Sequence, residues 1–396
     1  AIDNNTLLSR LPKSEEGLPN EIMHGHEAIR ELFEEYPIVI ENTQKLLSTC
    51  SIHYTFQQSK NKKSFTSSPE GDYSLLQEQC LVGLKYRYGD TPPKDVIART
   101  KKELTIIKQM DFCAYFLINW DLVEFARREG CYYVGRGSGA NSMVAYLLRI
   151  TDVDPIELDL YFERFINPAR KNPPDFDLDF SSRDRNFITK YLFDTYGWDR
   201  TALVGTYITF QYRSMIRELG KVFGLPSDEI DKLQHVKNFN NLDEICTLVL
   251  QYSRLIHDFP SHLSVHSSGI IISEEPISAY TATIMPPKGF PTIHFSMLEA
   301  EDIGFAKFDI LGQRVLSKIQ DAIAIIEENT GNAIDIHDLK RFKKDEKVKD
   351  LLKVGETVGC FYVESPAMRM LLRKLEADDY LRLVAASSII RPGVAK

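Results

Sequence analysis

Pro174-Asp175-Phe176-Asp177-Leu178-Asp179-Phe180 constrains this chain more than any other stretch, because three carboxylates alternate with three large apolar residues. Strand side chains point to opposite faces with a period of two. The segment therefore predicts a strand with Phe176, Leu178 and Phe180 in the core and Asp175, Asp177 and Asp179 together on the other face. Like charges about 7 Å apart on a rigid backbone repel and raise one another's pKa. Such a row is costly unless cations neutralise it. Hard carboxylate oxygens suit Mg²⁺ or Mn²⁺, which keep several waters and take other ligands from substrate phosphates. A solvated edge strand whose acids block edge-to-edge pairing would carry the same alternation.

Gly304-Phe305-Ala306-Lys307-Phe308-Asp309-Ile310 alternates in the same way, with Lys307 and Asp309 on one face and Ala306, Phe308 and Ile310 on the other. A half-buried ion pair is one reading. Beside the first strand, Asp309 would instead complete a three-carboxylate site for two metal ions about 3.5–4 Å apart, with Lys307 facing a triphosphate.

Gly135-Arg136-Gly137-Ser138-Gly139 lies between a predicted strand, Cys131 to Val134, and a predicted helix from about Asn141 to Arg149. Strand, glycine loop and helix in that order offer backbone N–H groups to an anion. The loop fits neither G-x-x-x-x-G-K-[ST] nor G-x-G-x-x-G, and a tight structural turn has the same composition. Arg164 precedes the acidic strand and either meets a phosphate or pairs with Glu163 or Asp159. His266 reads as a satisfied structural histidine or a substrate contact. No Ser/His/Asp or Cys/His set is recognisable, so covalent nucleophilic catalysis is not expected.

The 396 residues, 43% hydrophobic and 26% charged, describe a globular protein of two or three domains. With no long apolar run and no leader pattern, a cytoplasmic protein is expected. The six cysteines are scattered without a Cys-x-x-Cys pair, which argues for reduced thiols and against structural zinc. A net charge of −8 does not exclude a nucleic-acid partner, because local fields decide binding.

Residues 1 to 55 have a helical pattern broken at Pro37, and a Ser/Lys loop at 59–71 predicts a boundary. Helices are predicted near 73–88, 93–109, 113–129 and 183–196, with a strand near 201–207. Residues 209–260 read as helices only, interrupted at Gly224-Leu225-Pro226-Ser227. Strand patterns resume at Gly269 to Ser273 and Ile303 to Ile310; helices then dominate, with a strand expected at Val358 to Val363. A helical block between strands of one sheet predicts an α/β core with a helical excursion.

Taken together, these segments resemble the alpha (catalytic) subunit of bacterial DNA polymerase III, the C-family replicative polymerases. The resemblance rests on Gly135-Arg136-Gly137-Ser138-Gly139-Ala140 with Ser142, Thr151-Asp152-Val153-Asp154-Pro155, Phe162-Glu163-Arg164-Phe165 with Asn167-Pro168, and the Pro174–Phe180 run. Lys307-Phe308-Asp309-Ile310-Leu311-Gly312, Phe361 with Glu364-Ser365, and Arg391-Pro392-Gly393 follow in the family's order. The chain departs from the family at Val265 before His266 and at Tyr362-Val363 before Glu364.

The resemblance implies an α/β (α+β) fold: a polymerase-beta-like nucleotidyltransferase palm with a mixed sheet, an inserted helical thumb and partial, mainly helical fingers. It implies palm at 72–207 and 261–310, thumb at 208–260, the start of the fingers at 311–396, and at 1–55 a helical segment trailing a phosphoesterase-like domain. It assigns catalysis and two Mg²⁺ ions, replaceable by Mn²⁺, to Asp175, Asp177 and Asp309, with Asp179 a supporting acid. Gly137, Ser138, Arg164 and Lys307 take the positions that bind the nucleotide triphosphate.

The implied activity is DNA-directed nucleotidyl transfer on primer-template DNA and deoxynucleoside triphosphates. The implied partners of the whole protein are a sliding clamp, a clamp loader and a proofreading subunit. A two-metal nuclease or phosphohydrolase, an error-prone repair paralogue and a non-catalytic nucleic-acid module remain alternatives. With most of the fingers expected beyond Lys396, the chain alone is expected to be inactive.

Overall fold

Seven strands form one mixed sheet in the computed structural model, which describes residues 1–19, 21–51, 53, 55–167, 175–236 and 242–390. They are Tyr133–Arg136 (β1), Asp177–Ser181 (β2), Thr201–Thr209 (β3), Pro260–Ile272 (β4), Thr283–Ile284 (β5), Thr292–Ile293 (β6) and Phe308–Gln313 (β7). Their order is β1-β2-β7-β4-β3-β6-β5. Pro168, Pro174 and Arg391-Pro392-Gly393 lie outside the described residues.

The acidic strand is interior. β2 pairs antiparallel with β1 and parallel with β7, so the edge-strand alternative does not hold. The apolar half of the alternation faces the core as expected: Phe176, Leu178 and Phe180 are at most 2% exposed.

The chain divides into two units, Gln57–Val204 with His266–Lys396, and Ala1–Phe56 with Gly205–Val265. In the larger unit, helix Cys113–Arg128 is buried along most of its length, and helices Pro69–Tyr88 and Arg185–Tyr196 pack against it. A second core gathers Ala202, Val204, Ile271, Ile293, Ile303 and Phe305. Towards the C-terminus, helices Pro366–Leu375 and Tyr380–Ile389 close over Met368, Leu372 and Ala386. The smaller unit packs helices Tyr212–Phe223, Ser227–Gln234 and Glu244–Leu255 around Ile216, Leu219, Ile230, Leu233 and Val249. Gly224, in the left-handed region at φ +82°, ends the first of these, and Pro226 caps the second.

Several boundaries differ from expectation. The strand expected at Val358 to Val363 is a series of turns: Gly359 and Tyr362 take φ of +85° and +70°, which no strand accommodates. The last sheet strand begins at Phe308 rather than Ile303, because Met297–Ile303 is a helix. Ser296 and Glu299 cap it reciprocally, and Gly304 at φ +113° stops it. β4 begins at Pro260, earlier than Gly269, since its exposed Ser/His-rich half lacks the apolar alternation that marks a strand. β1 extends to Arg136, into the glycine loop, and the helix after that loop is only Met143–Leu147. Among the described residues no helix is long and apolar enough to cross a membrane.

Candidate active site

Register brings the acids together. In the parallel β2–β7 pair, Asp177 lies opposite Asp309, and Asp175 precedes β2. One carboxylate oxygen from each of Asp175, Asp177 and Asp309 can be chosen so that all three lie within 4.8 Å of one another.

Cations and donors hold this cluster. Lys307 Nζ bonds Asp175 Oδ2 at 2.8 Å and also bonds Asp309 Oδ2. The Ser268 hydroxyl donates to Asp309 Oδ1 at 2.6 Å. Arg136 reaches across from β1: Nη1 donates to Asp177 Oδ2 at 3.2 Å and Nε to Asp179 Oδ2 at 2.7 Å. From behind, the buried Tyr115 hydroxyl accepts the Phe176 N–H at 3.1 Å and donates to the Lys307 carbonyl at 3.3 Å. Its ring stacks on Phe176 at 5.6 Å between centroids. Arg185 Nε donates to the Ile310 carbonyl at 2.9 Å, tying helix Arg185–Tyr196 to β7.

These surroundings separate the acids electrostatically. Burial raises the Asp175 carboxyl to about 6, with Asp309 adding repulsion against the opposing Lys307 ammonium. Burial also raises Asp177, although Arg136 opposes the rise. Asp309 is driven the other way: burial acts to raise it, but the Lys307 ammonium and Ser268 hydroxyl outweigh burial and hold it below the usual carboxylate range. Lys307 in turn sits above its ordinary value, because its two carboxylate partners outweigh desolvation.

The glycine loop folds as a 3₁₀ turn, Gly137–Asn141, beside the acids. Gly137 has φ +78°, and a Cβ there would stand 2.6 Å from Asp177 Oδ2. Gly139 leaves room for the Phe176 ring, which a Cβ would meet at 2.4 Å. The Ser138 hydroxyl is 3.5 Å from the Asp175 carbonyl, and Asn141 Nδ2 donates to the Ser138 carbonyl at 2.8 Å. Below the turn the buried Glu103 carboxylate accepts from the Ser142 hydroxyl at 2.8 Å and the Val144 N–H at 3.1 Å.

Of the residues singled out in the sequence, Asp175, Asp177, Asp309, Lys307, Gly137 and Ser138 come together. Arg164 is exposed at the end of the 3₁₀ turn Phe162–Arg164, which buries Phe162 and packs on the glycine turn. His266 accepts the Gly269 N–H on Nδ1 at 3.0 Å, a bond that fits its structural reading. Arg136, Ser268 and Tyr115 were not anticipated. Arg136 and Ser268 stand inside segments already marked by their neighbours, whereas nothing local distinguishes Tyr115 from other core aromatics.

The donor set fits a hard divalent cation. All three converging groups are carboxylates, and Asp175 Oδ1 is buried with no hydrogen-bond partner among the described residues. A mixed sheet carrying acids on adjacent central strands, with a glycine turn at their side, defines a palm-like α/β domain. The chain belongs to the bacterial DNA polymerase III alpha family. The family's alpha NTPase domain matches residues 74–312, and its finger domain matches residues 315–396.

Curated relatives carry two kinds of name. The chain is 34% identical over 385 residues to "DNA polymerase III subunit alpha" of Halalkalibacterium halodurans, covering 92% of this chain and 34% of that protein. It is 32% identical over 398 residues to the Bacillus subtilis protein of the same name, covering 96% and 35%. It is 34% identical over 400 residues to "Error-prone DNA polymerase" of Symbiobacterium thermophilum, covering 93% and 35%. The chain thus spans about a third of the length of these relatives.

Proposed function

We propose that this chain carries the nucleotidyl-transfer core of a DNA-directed DNA polymerase, adding deoxynucleotides to a primer 3′-hydroxyl on a DNA template. The observation that carries this reading is the convergence of Asp175, Asp177 and Asp309 beside Lys307 and the Gly137–Asn141 turn. Asp175, Asp177 and Asp309 would hold two Mg²⁺ ions, for which Mn²⁺ can substitute. When bound, such ions activate the attacking hydroxyl and neutralise charge on the transferred phosphoryl and leaving pyrophosphate.

The remaining work falls to the chain's own groups. Asp177 and Asp309 are fixed by strand register, and Tyr115 holds the Phe176 backbone beside Asp175, so little reorganisation is needed at the moment of reaction. Lys307 neutralises Asp175 and Asp309 in the metal-free site and would turn to a triphosphate once those acids hold metal. Gly137 and Ser138 would offer backbone and hydroxyl donors to the same phosphates, with Arg164 on the adjoining turn. Catalysis on this reading is positioning and charge neutralisation.

The corresponding domain assignment is palm at 72–207 and 261–310, thumb at 208–260, and the start of the fingers at 311–396. Residues 1–55 would trail a preceding domain. For the whole protein, primer-template DNA and deoxynucleoside triphosphates are the proposed substrates, and a sliding clamp, clamp loader and proofreading subunit the proposed partners, in the bacterial cytoplasm. The test is a radiolabelled reaction with the whole parent protein. Template-directed primer extension with pyrophosphate release is expected, whereas nucleoside monophosphate release without extension would assign the same carboxylates to a nuclease.

A further inference from the structure

Among the described residues, four acids and two side-chain cations meet at the β1-β2-β7 end of the sheet, and their bonds divide evenly. Lys307 bonds Asp175 and Asp309; Arg136 bonds Asp177 and Asp179. Arg136 is placed for this by the antiparallel β1–β2 register, in which it lies opposite Asp177. A guanidinium carries several donors in a rigid fork and can hold two carboxylates through separate nitrogens, as a lysine cannot. Here Nη1 takes the Asp177 Oδ2 atom and Nε takes Asp179.

The two contacts are unequal. The bond to Asp179 is 2.7 Å and that to Asp177 is 3.2 Å. Asp179 is the most enclosed acid of its strand, with its second oxygen buried and unpartnered among the described residues, so it cannot lose its cation cheaply. Asp177 faces solvent more and can exchange one cation for another. This gives the third acid of the alternating run a role that the two-metal scheme leaves open.

We infer that Arg136 is a built-in counter-ion that competes with divalent metal for Asp177, and that Asp179 is the anchor holding Arg136 aside when metal enters. The inference rests on Asp177 being a metal ligand, as proposed above. Arg136 is a positioning residue here, acting through Asp177.

Mn²⁺ titrations of this chain, followed by electron paramagnetic resonance of the free ion without nucleotide, test it. Arg136→Gln is expected to tighten Mn²⁺ binding by about threefold or more, because the competent state is no longer masked. Asp179→Asn should weaken it about threefold, because Arg136 then rests on Asp177 alone. Either single change would also follow from bulk charge, so the double variant decides: it should bind Mn²⁺ as Arg136→Gln does.

Additive effects, or weaker binding by a folded Arg136→Gln chain, would overturn the proposal. A wild-type measurement avoids any folding loss in the variants. The Arg136 guanidinium resonances, assigned by their loss in Arg136→Lys, should shift on saturation with Mg²⁺, and unshifted resonances would also overturn it. If wild type bound no Mn²⁺, the metal reading of the site would fall as well. Binding without coupling would overturn this inference alone.

Discussion

Asp177 and Asp309 face each other across two neighbouring parallel strands, β2 and β7. Parallel neighbours cannot be joined by a hairpin and need a crossover, so the pairing closes a long loop of intervening chain and carries its entropy cost. A slip of one residue would turn Asp309 to the core face and Phe308 outward. The apolar face of β7, with Phe308 and Ile310 at 2% and 0% exposure, therefore sets the geometry of the acids.

Asp177→Asn tests what that geometry is for. The amide keeps the shape and removes a charge from an acid cluster, so nucleotide incorporation by the whole parent protein should be lost. The metal-free fold should melt at the same temperature or higher, since repulsion from Asp309 and Asp179 is relieved. Primer extension beside thermal melts checks both, and near-normal extension would remove Asp177 from catalysis.

The raised Asp175 carboxyl predicts a pH dependence with a definite sign. Between the ordinary value of 3.8 and about 6, the folded chain binds more protons at Asp175 than the unfolded chain. Its contribution to metal-free stability therefore falls as pH rises through that window. Metal must displace the same proton, so Mn²⁺ affinity should climb with pH up to about 6 and level off above it. Titrations at several pH values read this directly; an affinity flat below that point would mean Asp175 is not a ligand.

Beneath the glycine turn, Glu103 predicts a stability effect remote from the acids. It is fully buried, paired with Arg99 at 2.6 Å, and accepts from Ser142 and Val144. Arg99 also donates to the carbonyls of Asn141 and Leu160, joining the glycine turn to the segment before Arg164. Glu103→Ala would leave a guanidinium without its carboxylate and should cost about 3–5 kcal/mol, as broken buried pairs do. Urea unfolding measures it, and a loss under about 1 kcal/mol, the scale of an exposed pair, would show that Arg99 finds other compensation.

The acidic strand was legible because period-two alternation is a local property and its acids are conspicuous among core aromatics. Lys307 and Asp309 were legible for the same reason, although the start of their strand was not. Alternation ran on into Ile303, while the Ser296/Glu299 cap and the Gly304 stop, both present in the sequence, mark that stretch as helix. Ser268 and Tyr115 could not be read locally, since each acts on a residue far along the chain through tertiary packing. Asp179 was visible as a third acid, but its partner Arg136 emerged only once β1 was seen to extend through Gly135 and pair with β2.

Gly137→Ala probes how tightly the glycine turn is fitted to the acids. Gly137 sits at φ +78°, where an L-residue is strained by roughly 1–2 kcal/mol. The new methyl would also stand 2.6 Å from Asp177 Oδ2, and a carboxylate that moved away would strain or lose its 3.2 Å bond from Arg136. The substitution should thus lower the melting temperature by a few degrees and, by displacing Asp177, weaken Mn²⁺ binding about tenfold, as a disturbed ligand support does. Asp177→Asn supplies the control: in its background, Gly137→Ala should have little further effect on Mn²⁺ affinity while its stability cost persists. An undiminished second loss of affinity would mean that the turn acts on the metal site by a route other than Asp177.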